Sequence, residues 1–359
     1  MTRLICARVE GGALRANLQV VRARAPGCRV MAVVKANAYG HGLVSSALAL
    51  AQADADALAV ARLEEALALR AAGLSGRIVL LEGVFSAAQL AEAAPLRLDL
   101  VVHQEEQIAL LERYRGPVSL DVWVKVDTGM NRLGFRPERF RAAWERLTRL
   151  NPPPQLRVLT HLAGAEEQDG QYTAGQLARL APLTAGLAAE VSIANSAGIL
   201  AQPATHAQWV RPGLALYGVS PFAGRRGADF GLRPAMTLQS SVIAVREVLP
   251  GERVGYGGAW RAERRSRLAI IAAGYGDGLL RSLGNGAPVL IDGRRAPLAG
   301  RVSMDMIAVD VTDLPAVAVG ERVELWGAGL AVEEMAAAAG TIPYELLCAV
   351  SQRVPIEVV

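Results

Sequence analysis

The chain has 359 residues, which gives room for one large domain and a smaller one. Hydrophobic residues make up 52% and aromatics only 5%, so Ala, Val and Leu must fill the core. The formal net charge is +4, but the arginines are scattered with no basic stripe between aromatics, which argues against nucleic-acid binding; charges or glycines break the longest apolar helical stretches, which argues against a membrane span.

From residue 29 to 216, short apolar runs alternate with helical periodicity. Predicted strands cover residues 29–35, 57–61, 77–82, 98–103, 118–125, 155–161, 190–194 and 210–217. Helical patterns such as 63–72 and 137–150 lie between them. Strands and helices alternating in this way predict a (β/α)8 TIM barrel, with a doubly wound open sheet as the alternative, because periodicity does not reveal closure. Gly, Arg and Pro then cluster through 221–234 as a linker. Beyond it the chain reads as mostly β, with strands at 238–248, 268–272, 289–291, 307–311, 322–326 and 354–359, interrupted by helices at 332–339 and 343–350. The expected domains are a barrel over 1–230 and a C-terminal β-rich domain over 231–359. The N-terminal run before Arg8 and Glu10 is too short for a signal h-region. Cys6, Cys28 and Cys348 lack metal-ligand spacing and suit free thiols in a reducing cytoplasm.

Lysine is nearly absent: Lys35 and Lys125 stand against 36 arginines. Arginine replaces lysine as a solvated charge but not as an amine nucleophile, because its guanidinium stays protonated. Each surviving lysine ends an apolar strand, where solvated lysines are uncommon, so both are candidates for amine chemistry. In a barrel, strand C-termini and the loops after them share one face. Lys35, Tyr39, Lys125, Arg132, His161, Asn195, Ser196 and Arg211 all fall at or just after strand ends.

His161 reads either as a core histidine bonded to a carbonyl or as a flat ring stacking on an aromatic cofactor. Asn195-Ser196-Ala197-Gly198 and Arg211-Pro212-Gly213-Leu214 are either ordinary turns or amide-rich sites for an anion after the last two strands. The string from Asp127 to Gly134 reads as a helix N-cap with a glycine turn. Tyr256 sits between Gly255 and Gly257, either packed there or poised as a phenolic proton carrier beside a cation.

Together these strings resemble the alanine racemases, pyridoxal-phosphate enzymes of the type III fold. The resemblance rests on Val34-Lys35-Ala36-Asn37-Ala38-Tyr39-Gly40-His41-Gly42 and on the run Lys125-Val126-Asp127-Thr128-Gly129-Met130-Asn131-Arg132-Leu133-Gly134. It continues in order through Thr160-His161, Asn195-Ser196, Val210-Arg211-Pro212-Gly213, Gly255-Tyr256-Gly257, Gly274-Tyr275-Gly276-Asp277-Gly278, Arg301-Val302-Ser303-Met304-Asp305 and Tyr344-Glu345. The first motif alone suggests only the wider type III class, and the β-domain motifs point to the racemases.

The resemblance implies that Lys35 carries pyridoxal 5'-phosphate through its amine. Tyr39, Asn195, Ser196, Gly213, Leu214 and Tyr344 would help to hold the cofactor, Arg211 would face the pyridine nitrogen, and His161 would lie near the ring. Lys35 and Tyr256 would act as the two bases on opposite faces of the substrate's α-carbon, with Tyr256 supplied by the other subunit of a homodimer. Arg132 and Met304 would bind the substrate carboxylate, and Lys125 would be carbamylated, turning a repulsive cation beside Arg132 into an anion. Glu166, Tyr275, Arg281, Arg301 and Ile342 would line the entrance. The implied activity interconverts L- and D-alanine in the cytoplasm and supplies D-alanine for peptidoglycan. Asn131, Leu162, Glu166 and Ser303 depart from common family patterns without removing a required group. A serine or broad-range racemase stays open as an alternative, and a non-catalytic cofactor carrier is disfavoured by Tyr256 and Met304.

Overall fold

A computed structural model describes residues 4–167 and 169–359. The N-terminal strand is β1 (Cys6–Val9), and a parallel series follows: β2 (Arg29–Val33), β3 (Ala57–Val60), β4 (Ile78–Leu80), β5 (Asp99–Val102), β6 (Asp121–Lys125), β7 (Gln155–Leu159), β8 (Val191–Ser192) and β9 (Trp209–Val210). β2 to β9 pair in sequence order and β9 returns to β2, so the sheet closes into a barrel and the open-sheet alternative falls away. Every residue of β3, β4 and β5 is buried, as expected when a parallel strand has helices outside and packed side chains inside.

The last barrel strand is much shorter than the expected 210–217. Pro212 has no N–H to donate, and Leu214–Tyr217 winds into a 3-10 turn instead. At the N-terminal end of the barrel strands an ionic network is centred on the buried Asp99 and Arg157. Asp99 accepts from Arg77 Nη1 at 2.5 Å and from Trp123 Nε1 at 2.9 Å, while Arg157 binds Asp121 at 2.8 Å and Glu190 at 3.0 Å. Arg29 pairs with Glu190 and lies over the Trp209 ring. Each buried charge thus has a partner.

The remaining strands are β10 (Met236–Val248), β11 (Arg253–Val254), β12 (Trp260–Arg261), β13 (Ser266–Ile271), β14 (Pro288–Ile291), β15 (Arg294–Pro297), β16 (Ile307–Asp310), β17 (Arg322–Trp326) and β18 (Ile356–Val358). β10 organises them: it pairs with β1, β13 and β17, all antiparallel. A register shift between Val242 and Ala244 bends it, as a bulge does. β1 also lies parallel to β18. The helices Val332–Ala339 and Pro343–Ala349 complete this region.

The chain divides into two compact units: Arg15–Ala38 with Leu43–Leu216, and Tyr217–Val359 with the N-terminal segment through Leu14 and Tyr39–Gly42. β1 thus groups with the second unit, and its four residues have no strand identity until β10 and β18 pair with them. Among the described residues no helix is long and apolar enough to cross a membrane.

Candidate active site

Lys35 follows β2, and the backbone after it does something unusual. Ala36, Asn37, Ala38 and Tyr39 have φ of 53°, 55°, 54° and 53°, a full left-handed turn without a glycine. Such conformations cost about 1–2 kcal/mol per residue for L-amino acids. Two side chains hold the turn. Glu65 Oε1 accepts from Ala36 N at 2.6 Å while its Oε2 accepts from Ala61 N at 2.9 Å, and Asn37 Oδ1 accepts from Leu43 N at 2.8 Å. Strain of this kind clusters at functional sites, and this turn begins directly after Lys35.

Lys125 ends β6 and is 8% exposed. Burial, then the cations Arg211, Arg132 and Lys35, lower its amine to about 8, against a weaker opposing pull from Asp127. His161, just beyond β7, is held well below its ordinary value by burial and by Arg211, Lys125, Arg132 and Lys35, so its ring is neutral. These four cations and one imidazole are close enough to bias one another, which gathers five of the sequence-predicted residues into one electrostatic neighbourhood.

Arg211 follows β9 and is buried. It donates from Nη1 to Ser192 Oγ at 2.6 Å and from Nη2 to Ile193 O at 3.1 Å and to Thr160 O. Burial brings it down to about 9, which still leaves a cation at neutral pH. Ser196 Oγ accepts from Gly213 N at 2.9 Å and Ala215 N at 3.2 Å, joining the loops after β8 and β9 around the buried Leu214. Asn195 is the N-cap of the helix Ser196–Ala201, its side chain accepting from Gly198 N at 3.0 Å.

The Asp127–Gly134 string is not a helix N-cap. Asp127 Oδ1 accepts from Gly129 N and Asn131 N, both at 3.0 Å, and the next helix starts only at Pro137. The short carboxylate instead closes a local turn that carries the exposed Arg132. Asn131 sits at φ 57°, a left-handed position that asparagine tolerates, so its departure from the family pattern has a backbone reason. Glu166 lies exposed on the loop beyond His161.

The β-rich unit holds the other predicted residues. Tyr39 is buried, stacked on Tyr217 at 4.8 Å between centroids and tilted against Tyr344 at 5.8 Å. Burial, reinforced by Tyr344 and Cys348, pushes its phenol up, so it remains a hydroxyl donor. The helix bearing Tyr344 approaches Gly40 so closely that a Cβ there would lie 2.0 Å from Leu347 O.

Tyr256 is 64% exposed on a turn where Gly255 and Gly257 take φ of 71° and 70°. The Arg301 guanidinium lies 3.7 Å from where a Cβ would stand on Gly257, a cation beside the tyrosine's own turn. Tyr275 and Met304 are on joined loops, with Tyr275 N donating to Ser303 O at 3.0 Å and Gly276 N to Met304 O at 2.8 Å. Arg353 ties these loops by pairing with Asp277 at 2.9 Å and Asp305 at 2.7 Å. Ile342, Arg281 and Arg301 are exposed.

Sequence reasoning passed over Glu65 and Gln176, both of which hold backbone at this site. Only the position of Glu65, three residues into a helical pattern after Arg62, offered a capping signal.

A closed parallel barrel with an amine-rich C-terminal face, combined with a β-rich unit bearing exposed tyrosines, defines a class of two-part barrel proteins. A family profile described as "Alanine racemase, N-terminal domain" matches residues 9–221, and "Alanine racemase, C-terminal domain" matches residues 235–358. The chain belongs to the alanine racemase family. It is 49% identical over 356 residues to the alanine racemase of Chromohalobacter salexigens, covering 99% of this chain and 98% of the relative. The crystal structure of the biosynthetic alanine racemase from Pseudomonas aeruginosa matches with a TM-score of 0.97 at 47% identity, covering 100% of both chains. The alanine racemase from Acinetobacter baumannii matches at 0.91 and 36% identity, again over 100% of each chain.

Proposed function

We propose that this chain interconverts L- and D-alanine in the cytoplasm, as a homodimer that uses pyridoxal 5'-phosphate and supplies D-alanine for peptidoglycan. The observation that carries the reading is the convergence of Lys35, Lys125, Arg132, His161 and Arg211 at one end of the barrel, with a strained turn presenting Lys35. The donor set suits a phosphorylated aromatic aldehyde: an amine to bind the aldehyde, a neutral imidazole to lie against a ring, a buried guanidinium, and a hydroxyl between backbone amides for the phosphate.

When bound, pyridoxal 5'-phosphate supplies a conjugated ring that withdraws electrons from the substrate's α-carbon. Lys35 would hold the cofactor through its amine. Ser196, Gly213 and Leu214 would hold the phosphate, with Tyr39 and Tyr344 as further hydroxyl donors, while Asn195 caps the helix on which Ser196 sits. Arg211 keeps its protons and offers hydrogen bonds, so a ring nitrogen facing it gains a bond but no proton. Once the substrate's own amine has taken the place of Lys35 on the cofactor, the freed Lys35 Nζ would remove or return a proton on one face of the α-carbon, and the phenol of Tyr256 of the partner subunit would serve the other face. The exposed Tyr275, Met304 and Ile342 suit a surface covered by the partner. Segment 231–359 then contributes to the partner's active site.

Arg132 binds the substrate carboxylate with the Met304 amide of the partner subunit. A lysine lowered to about 8 keeps a useful neutral fraction, the form that adds carbon dioxide, so Lys125 is assigned as a carbamate that orients Arg132. Glu166, Tyr275, Arg281, Arg301 and Ile342 line the approach, and they decide whether serine or larger amino acids enter. Purified protein should absorb near the visible edge, and borohydride should fix the chromophore on the peptide containing Lys35. A label on another peptide, or none, defeats the assignment; racemisation assays across amino acids then set the substrate range.

A further inference from the structure

One face of an outer helix reaches over the barrel's end. Tyr172, Gln176 and Arg179 are spaced by four and three residues on the helix Gln171–Thr184, so they share a face. All three bind the turn before Arg132. Tyr172 Oη donates to Gly129 O at 2.8 Å, Gln176 Nε2 donates to Thr128 Oγ1 at 3.0 Å, and Arg179 Nη1 donates to Thr128 O at 2.9 Å. Gly129, at φ 147°, lets them come this close: a Cβ there would stand 3.1 Å from Arg179 Nη1 and 3.5 Å from Gln176 Cγ.

Gln176 does more than cover this turn. It is 1% exposed, its Nε2 also donates to His161 O at 2.9 Å, and its Oε1 accepts from Ala163 N at 2.9 Å. Thr128 Oγ1 lies 2.8 Å from Thr160 Oγ1, which donates to Val126 O at 2.9 Å. One amide therefore fastens the loop after β6 to the loop after β7. No apolar residue of similar size can make these bonds, and glutamate would set a carboxylate oxygen against the His161 carbonyl.

We propose that Gln176 is a positioning residue that locks the Arg132 loop to the His161 strand end, so that affinity for the substrate carboxylate depends on this outer helix. The inference rests on the reading of Arg132 as the carboxylate ligand and extends it to a residue that touches neither substrate nor cofactor. Arg179 and Tyr172 brace the same turn from either side of Gln176.

The test uses the holoenzyme with Gln176→Met, Arg179→Met, Arg179→Lys and Arg132→Lys variants. It measures KM and kcat for both alanine enantiomers, inhibition by propionate (alanine without its amine), and the cofactor absorbance. Gln176→Met should raise KM and the propionate inhibition constant together by about tenfold, the scale of a small misplacement at a binding group, with the absorbance unchanged. Arg179→Met should do the same more weakly, and Arg179→Lys should recover most of that loss. Wild-type KM and propionate inhibition in both Met variants overturn the proposal, as does a fall in kcat and cofactor absorbance with KM unchanged. If Gln176→Met does not fold, the Arg179 pair decides alone. If Arg132→Lys leaves KM and propionate inhibition untouched, the carboxylate reading itself fails; if it alone raises them, only the clamp is lost.

Discussion

Replacing Lys125 with methionine separates two charge states of the site that have opposite energetic signs. The folded protein lowers this amine from 10.5 to about 8, chiefly by burial and then through Arg211, Arg132 and Lys35. A shift of that size corresponds to about 3 kcal/mol against the ammonium at neutral pH. It also raises the neutral share at pH 7.5 from roughly one in a thousand to about a quarter. If position 125 stayed an amine, the unfolded chain would bind one more proton than the folded chain between pH 8 and 10.5. Stability would then climb with pH across that window, and would be lost again as pH fell through 8.

Lys125→Met would in that case be more stable than the parent at pH 7 and insensitive to the window. A carbamate reverses every sign. The anion sits among the cations that opposed the ammonium, so Lys125→Met should lose stability, and stripping carbon dioxide from the parent should lower stability and raise KM. Chemical denaturation at pH 7 and 9.5, at fixed protein concentration with and without bicarbonate, reads the difference. Native mass measurement reads the added group directly. A parent indifferent to bicarbonate, stabilised from pH 8 to 10.5 and outlasted by Lys125→Met refutes the carbamate.

Two further perturbations probe the assigned bases and the barrel's base. Tyr256→Phe removes one hydroxyl from an exposed turn, so the proposed dimer should sediment as the parent does while turnover falls by about 10²–10⁴; unchanged rates in both directions end the two-base assignment. Asp99→Ala leaves the buried Trp123 N–H without its acceptor and Arg77 without its short ionic bond, while Arg157 keeps Asp121 and Glu190, and it should cost about 1–3 kcal/mol in urea denaturation, as an unsatisfied buried donor does. A loss below about 1 kcal/mol would mean that solvent already screens these charges.

How much of this was legible depended on how local each signal was. Residues 57–60, 78–80 and 100–102 stand out because strands buried on both faces read as unbroken apolar runs. β15 does not, because Arg294-Arg295-Ala296-Pro297 is a mostly exposed edge strand with no hydrophobic pattern. β9 was overextended because the apolar run continues past Pro212, where the backbone stops pairing. At the site, scarcity marked Lys35 and Lys125 as candidates, since arginine can replace a lysine as a surface charge but not as an amine nucleophile. Gln176 carried no such mark, because a glutamine in a helix reads as a surface residue until its amide is found between two loops.

The sequence alone determined the alternation that builds a barrel, the two amines at its strand ends and the tyrosine between glycines. These follow from periodicity and from the chemistry of single side chains, which neighbours in the chain suffice to reveal. Only the tertiary structure decided that the sheet closes, that β1 pairs with β10, that four residues after Lys35 wind left-handed against Glu65, and that Lys125 is buried among cations. Closure, strain and a lowered amine depend on groups far apart in the chain meeting in a medium that screens charge poorly, and no local pattern records that meeting.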